Sequence, residues 1–145
     1  MLRPGLFRKV LAIALCVIPA LWFAAAQASH TGLKYDHSQE TRVKGVVEEV
    51  RVEKFQELLV TLDGDSAKSL GVPKVIVQVA PDAFLKEMDI TFAQGEKIEV
   101  LGCKVTADTD VVIMVREITR SSGTMSMRDE RGVPVWQGWN PMRHD

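Results

Sequence analysis

From residue 41 onward, apolar and polar positions recur with the period of β-strands. Leu58, Val60 and Leu62 are spaced by two residues, as in a strand with one buried face, and the same spacing recurs over residues 75–79. The apolar phase slips just after Gly45, which predicts a bulge or a bend in a long first strand. The predicted strands cover residues 41–52, 58–62, 75–79, 97–105 and 111–119.

One short helix is predicted between the third and fourth strands. Pro81 suits the first turn of a helix, Asp82 is favourable beside the positive helix end, and residues 83–88 supply good helix formers. Residues 63–65, Asp-Gly-Asp, are interpreted as the turn that ends the second strand, and a loop is expected from there to Pro73.

The order strand, strand, strand, short helix, strand, strand is that of the OB-fold, a small and partly open Greek-key barrel. We therefore predict an all-β domain over residues 41–136, a small five-stranded OB-fold-like barrel with one short helix. Residues 124–128 and 133–136 are expected to add a C-terminal hairpin extension. A polar N-terminal arm, residues 29–40, and a loose tail, residues 137–145, flank the domain. A β-sandwich is the alternative, although it would not normally include the helix.

The first 28 residues have the composition of a signal peptide. Three basic residues among the first nine precede an uncharged apolar stretch over residues 10–26, and Ala26-Gln27-Ala28 is a small-residue cleavage site. Cleavage is expected before Ser29, which would place the mature chain in the periplasm or outside the cell. The alternative is an uncleaved membrane anchor, since this apolar stretch lies at the short limit for a membrane span.

Charge narrows the kind of partner that the mature chain would bind. Without residues 1–28 the chain keeps 15 of its 18 basic residues and all 19 acidic ones, a formal charge of −4. Non-specific nucleic-acid affinity depends on clustered Lys and Arg, so this balance argues against a nucleic-acid partner. A protein or glycan of the envelope is the expected partner, with membrane contact only through an uncleaved signal segment.

The cysteines and histidines argue against an enzyme. Cys16 falls in the signal segment, so Cys103 would remain alone, without an intramolecular disulfide, and is expected to be a buried strand residue. A catalytic nucleophile requires an activating base, but His30 and His37 lie in the arm and His144 lies near the end of the chain. We predict a non-enzymatic protein with no catalytic residue. An enzyme that uses Cys103 is a distant alternative.

Several short segments resemble the domain of the MamS/MamX magnetosome proteins, as found in small secreted bacterial proteins with an OB-like fold. The resembling segments are residues 43–47, 80–81, 84–85, 95–102, 116–118 and 127–136. The resemblance implies an envelope location and an accessory role in metal-related or redox processes, without a defined chemistry. MamX also bears Cys-x-x-Cys-His haem sites, which this sequence does not contain, so a haem is not implied.

A methionine pair suggests copper as an alternative function. Met125 and Met127 would project from one face of a strand, and soft thioether ligands favour Cu(I). Periplasmic copper carriers of the CusF type are OB barrels with a Met-x-Met pair, a histidine and a capping tryptophan. This chain resembles them in the methionine pair and in the downstream Trp136 and Trp139, although the carriers' pair lies earlier in the barrel. Burial of both methionines on the inner side of a hairpin is the structural alternative.

The remaining candidate residues lie near the two ends of the domain. His30 and His37 are candidate ligands of a divalent metal ion, or else solvated arm residues; no other cofactor is expected. Trp136 and Trp139 combine large apolar area with a polar N–H and are candidate partner-binding residues. Because a small barrel fills its interior with side chains, binding is expected on its outside, with Trp136 covering the barrel and Trp139 as the candidate anchor.

Overall fold

A computed structural model describes residues 30–140. The predicted signal peptide, with Cys16, and the end of the tail, with His144, lie outside the described residues. The elements are β1 (Glu40–Val52), β2 (Phe55–Leu62), α1 (Gly64–Leu70), β3 (Lys74–Pro81), α2 (Asp82–Glu87), β4 (Lys97–Ala107), β5 (Asp110–Arg120) and β6 (Gly123–Ser126), and a single 3-10 turn, His37–Gln39, precedes β1. Within the described range, no helix is long and apolar enough to cross a membrane.

Strands β1 to β5 close into a barrel in the order β1-β2-β3-β5-β4, and β4 returns to pair with β1. All these neighbours are antiparallel except β3 and β5, which pair in parallel over a short stretch that includes Ile76 and Val112. The helix α2 lies between β3 and β4 in the chain, as predicted. The five-stranded OB-fold-like barrel is therefore confirmed, with β6 as one extra strand beside β5.

The barrel interior is filled by alternate apolar side chains of its strands. The predicted inward residues of β2, Leu58, Val60 and Leu62, belong to this cluster, and so do the alternating valines of β3. Helix α2 contributes Phe84 and Leu85 to the same core. The two-residue spacing in the sequence therefore identified the buried face of both strands correctly.

Two strands contain a glycine where a neighbouring strand passes too closely for a side chain. A Cβ at Gly45 in β1 would collide with the carbonyl of Thr61 in β2. A Cβ at Gly102 in β4 would collide with the carbonyl of Met114 in β5. The pairing of β1 with β2 shifts register just beyond Gly45, so the predicted irregularity of the first strand is present.

The segment expected to be a loop between the second and third strands contains helix α1. Asp63 is its N-cap: one side-chain oxygen accepts a hydrogen bond from the backbone N–H of Ser66 at 2.8 Å. Gly71 ends the helix in the left-handed conformation, with a φ of 72°. The loop prediction was wrong because the short carboxylate that favours a turn also caps a helix.

The expected C-terminal hairpin is only partly present. Strand β6 pairs along its length with the end of β5 instead of with the segment that follows it. Beyond β6, one isolated bridge joins Arg128 to Pro134, and residues 133–136 form no strand. The ladder stops there because the backbone N–H of Met127 donates to the carbonyl of Arg116 and that of Val133 donates to the side chain of Asp129.

Candidate functional site

Four buried residues lie on the outer face of the barrel. Ile76 of β3, Val112 and Met114 of β5, and Cys103 of β4 are at most 4% exposed, but none of them belongs to the interior cluster. Successive strand residues point to opposite faces, so these side chains point away from the interior. An outward apolar residue stays buried only where another segment covers it. Residues 30–39, the described part of the predicted arm that precedes β1, contact this face at Cys103 through the backbone of Asp36, and the name N-terminal arm is kept for them.

Strand register aligns five side chains in a row around this face. Glu57 of β2 pairs with Gln78 of β3, and Gln78 pairs with Met114 of β5. Met114 pairs in turn with Cys103 of β4, and Cys103 with Glu40 of β1. Paired residues project from the same face of a sheet, so the row crosses all five barrel strands. The arm follows this row, as its contacts at both ends show.

At one end of the row, neighbouring side chains hold both the backbone and the imidazole ring of His30. Its backbone N–H donates to Oε2 of Glu57 at 3.2 Å, and the side-chain amide of Gln78 donates to its carbonyl oxygen. Its Nδ1 lies 2.9 Å from the same Glu57 oxygen, and its Nε2 lies 3.3 Å from Oδ2 of Asp110. The nearly buried Glu57 and Gln78 thus find their hydrogen-bond partners in the arm.

Further along the row, the arm covers the thiol of Cys103. The backbone N–H of Asp36 donates to Sγ at 3.3 Å, and the thiol points to the carbonyl of Lys104 at 3.8 Å. Burial raises the pKa of the Cys103 thiol above its ordinary value. An activated cysteine has a lowered pKa and a base beside it, so this environment is that of a structural thiol.

The arm ends at a cluster centred on the carboxylate of Glu40. Its Oε1 accepts a hydrogen bond from the hydroxyl of Tyr35 at 2.7 Å and lies 3.2 Å from Nδ1 of His37 and 3.5 Å from Nη1 of Arg116. Burial alone would raise the pKa of Glu40, but the Tyr35 hydroxyl, Arg116 and His37 together hold it below its ordinary value. These contacts fasten the arm where it enters β1.

Arg128 joins the arm to the segment that follows β6. Its guanidinium carbon lies 5.3 Å from the centre of the Tyr35 ring and 5.2 Å from that of the Trp136 ring. Its Nη1 donates to the carbonyl of Gly132 at 3.0 Å. Burial lowers the pKa of Arg128. The cation thus lies against two aromatic faces, which ties the N-terminal arm to the C-terminal segment.

Trp136 and Trp139 form a cluster with two phenylalanines, which we call the aromatic end. The ring centre of Trp139 lies 5.5 Å from that of Phe84 in α2, and Trp136 lies 6.0 Å from Phe84 and 6.4 Å from Phe55 at the start of β2. The indole N–H of Trp139 donates to Oε2 of Glu87 at 2.8 Å. Trp139, in the described part of the tail, therefore packs on α2, whereas a loose segment was expected for residues 137–145.

The structure does not bring the predicted metal ligands together. Met127 is 2% exposed within the interior cluster, and Met125 packs against that cluster. His30 and His37 contact different carboxylates. Within residues 30–140, no group of three or more His, Cys, Asp or Glu side chains is arranged to hold a metal ion. A copper site at the methionines and a divalent-metal site in the arm remain predictions.

Sequence reasoning missed Glu57, Gln78 and Asp110. In the sequence, Glu57 and Gln78 are polar residues at outward positions of apolar strands, and such residues normally face solvent. Only the register of the strands and the path of the arm place them under His30. Arg128 lies within a resembling segment, but its contact with two aromatic rings has no signal in the sequence.

The outer face and the aromatic end present different chemical groups. The outer face offers a carboxylate and an amide that hydrogen-bond to a main chain, and the aromatic end offers ordered indole rings. The fold and these surfaces define a small OB-like barrel whose outer face is covered by its own arm.

The chain belongs to the MamS/MamX magnetosome protein family, whose family model matches residues 39–125. The resemblance seen in the sequence is confirmed over that range. Most of the arm, and the resembling segment 127–136, lie outside it. No curated protein matches the chain.

Proposed function

We propose that the chain is a non-enzymatic accessory module of the bacterial envelope that binds a protein or glycan partner through its aromatic end. Membership of a magnetosome protein family supports a role in association with the magnetosome. The composition of residues 1–28 supports export. The observation that carries the binding role is the ordered position of Trp139, whose ring packs on Phe84 and whose N–H bonds to Glu87.

Trp139 is held in place before any partner arrives. Its ring packs edge-on against Phe84, and its N–H is bonded to Glu87, so little conformational entropy remains to be lost on binding. Three of the four exposed large apolar residues in the described range adjoin this cluster along the chain: Val52 is 51% exposed, and Met88 and Val135 are each 49% exposed. Tryptophan is one of the residue types that are enriched at binding hot spots.

The test compares capture of partners from solubilised envelope by immobilised chains that begin at Ser29. Trp139→Ala should reduce recovery of the partner about tenfold or more, because a hot-spot tryptophan contributes about 2 kcal/mol or more. Val46→Ala is the matched control, since Val46 is the fourth exposed apolar residue and is 38% exposed on β1. Equal recovery by folded Trp139→Ala, or equal loss with Val46→Ala, would contradict the proposal.

An enzyme that uses Cys103 is disfavoured by the environment of the thiol. Both hydrogen-bond partners of Sγ are backbone groups, of Asp36 and Lys104, and neither can act as a general base. Cys103→Ala should therefore leave any activity found in the purified chain intact. Selective loss of that activity in a variant that keeps the fold would reverse this conclusion.

A further inference from the structure

Two buried side chains contact the main chain of His30 as a binding site contacts a peptide. Glu57 accepts the backbone N–H and Gln78 donates to the backbone carbonyl of this one residue. Glu57 and Gln78 are only 3% and 5% exposed, so both are fixed in place. Contacts to main-chain groups recognise any extended peptide, and the neighbouring pocket then selects the side chain.

That pocket suits a histidine. The imidazole lies between two carboxylates, with Nδ1 at 2.9 Å from Glu57 and Nε2 at 3.3 Å from Asp110. Both ring nitrogens thus face a carboxylate oxygen, which is a hydrogen-bond acceptor for an imidazole N–H. An alanine in the same position would leave Glu57 without one of its hydrogen bonds.

The location on the barrel is one where ligands bind in OB-folds generally. Extended ligands lie across the face formed by the second and third strands, and Glu57 and Gln78 lie on β2 and β3. Both residues fall inside the range matched by the family model, whereas His30 falls outside it. The arm therefore occupies the face that an external ligand would use.

The length of the arm matches the width of this face. Between Glu57 on β2 and Cys103 on β4 there are three strand-to-strand steps, or about 14 Å. The six residue steps from His30 to Asp36 can reach up to about 20 Å. A segment of seven or eight residues is therefore long enough to cross the row from end to end.

We propose that the outer face of β2, β3, β5 and β4 is a binding site for an extended peptide segment that carries a histidine, and that the arm occupies this site as an intramolecular competitor. A partner segment would displace the arm and take over its main-chain contacts to Glu57 and Gln78. This site is separate from the aromatic end, so either proposal can fail without the other.

The probe is a labelled peptide with the sequence of residues 29–36, Ser-His-Thr-Gly-Leu-Lys-Tyr-Asp. In the chain that begins at Ser29, the tethered arm competes at an effective concentration of roughly millimolar, so the peptide should bind poorly. His30→Ala weakens the arm without changing the site, and the peptide should then bind about tenfold tighter or more. Fluorescence anisotropy measures both affinities.

Variants of the site are made in the His30→Ala chain. Glu57→Gln and Gln78→Ala should each weaken peptide binding about tenfold, and so should a peptide with alanine in place of its histidine. Trp139→Ala should leave peptide binding unchanged, which separates this test from that of the aromatic end. The proposal is wrong if the His30→Ala chain binds the peptide no more tightly than the parent chain does. It is also wrong if adding Glu57→Gln or Gln78→Ala to the His30→Ala chain leaves the affinity for the peptide unchanged.

A further measurement needs no substitution in the site itself. Cys103 lies under the far end of the arm, bonded to the backbone of Asp36. A peptide that replaces the arm should slow reaction of the Cys103 thiol with a disulfide reagent in the His30→Ala chain. If the peptide binds but the Cys103 thiol reacts as fast as before, the peptide lies elsewhere and the proposal is wrong. This measurement decides the question even if the Glu57 and Gln78 variants fail to fold.

Discussion

Gly132 lies directly against the ring of Tyr35, so that a Cβ at residue 132 would come within 2.5 Å of the ring carbon Cδ1. Gly132 also has a φ of 80°, in the left-handed region. Its carbonyl accepts the hydrogen bond from Arg128, whose guanidinium lies over the same tyrosine ring. The turn after β6 and the N-terminal arm are therefore packed against each other through one aromatic ring.

Gly132→Ala should destabilise the domain by about 2–4 kcal/mol. The positive φ costs an L-residue roughly 1–2 kcal/mol, and the collision with Tyr35 adds a similar amount because the hydroxyl bond to Glu40 and the contact with Arg128 hold the ring in place. Gly138→Ala is the matched control: Gly138 has a φ of 76°, but a Cβ there meets nothing within 4 Å. Gly138→Ala should therefore lower the free energy of unfolding only by the roughly 1–2 kcal/mol that the positive φ costs. Urea unfolding of both variants gives the two free energies.

The collision can be isolated by a double-mutant cycle with Tyr35→Ala. Removing the ring makes room for the new methyl group, so Gly132→Ala should cost about as much in the Tyr35→Ala chain as Gly138→Ala costs in the parent. Additive free energies of unfolding would show that the ring and residue 132 are not in contact.

The hydroxyl of Tyr35 should make stability depend on pH through Glu40. Tyr35→Phe keeps the ring and removes the donor to a carboxylate, a hydrogen bond expected to contribute about 1.5–3 kcal/mol at pH 7. The pKa of Glu40 is lowered in the folded chain, against the effect of burial, by the Tyr35 hydroxyl, Arg116 and His37. This contribution is therefore fully present above the ordinary carboxyl pKa of about 4.3 and is lost as the pH falls through the lowered folded value.

The measurement is the difference in unfolding free energy between the parent chain and Tyr35→Phe across pH. The difference should be largest near pH 7 and shrink below about pH 4, as Glu40 becomes protonated. Other carboxylates titrate in both chains, so their effects cancel in the difference. If the difference in unfolding free energy is the same at pH 3 as at pH 7, Glu40 is not the partner of the Tyr35 hydroxyl.

Export should leave a chain that starts at Ser29. Ala28 is the small residue before the expected cleavage site, and Ala28→Leu should slow removal of residues 1–28. The intact mass of the protein from the periplasmic fraction gives the first residue directly. A chain that keeps Met1 and remains with the membrane would favour the uncleaved anchor instead.

Copper binding by the methionine pair should be weak. Met127 is buried in the core, so its thioether would have to leave apolar contacts to reach a metal ion. Anaerobic Cu(I) titration of the chain that begins at Ser29 should give a Kd of about 1 μM or weaker, with no change when Met125 and Met127 are both replaced by leucine. Tighter binding that disappears in the double variant would instead establish the copper-carrier alternative.

The barrel was predictable because its strands are half-buried, and burial on one face leaves a two-residue period in the sequence. Leu58, Val60 and Leu62 carry that signal, and the helix after β3 was marked by Pro81 and Asp82. Helix α1 was missed because Asp63 and Gly71, as cap residues, are also typical turn residues.

The segment that covers the outer face could not be predicted from periodicity. The apolar runs of β3 and β5 indicate burial on both faces, but they do not show that the arm contacts Gln78 and Cys103. Glu57 and Gln78 acquire their role from contacts to His30, which is 27 and 48 residues away along the chain. Such pairings depend on strand register and on where a terminal segment folds back, and neither leaves a local pattern.

The reactivity of Cys103 should report on opening of the arm. Burial raises the pKa of the thiol, so little thiolate is present near neutral pH, and the backbone of Asp36 lies over the sulfur. Labelling with a disulfide reagent should therefore require the arm to open.

His30→Ala removes the ring contacts to Glu57 and Asp110, which should speed labelling about 10-fold to 100-fold, since hydrogen bonds to charged groups contribute about 1.5–3 kcal/mol. Thr31→Ala is the control from the same arm, because Thr31 is exposed and its loss should change the rate much less. Equal rates in the parent and His30→Ala chains, at a pH where both are folded, would mean that His30 does not hold the arm over the thiol.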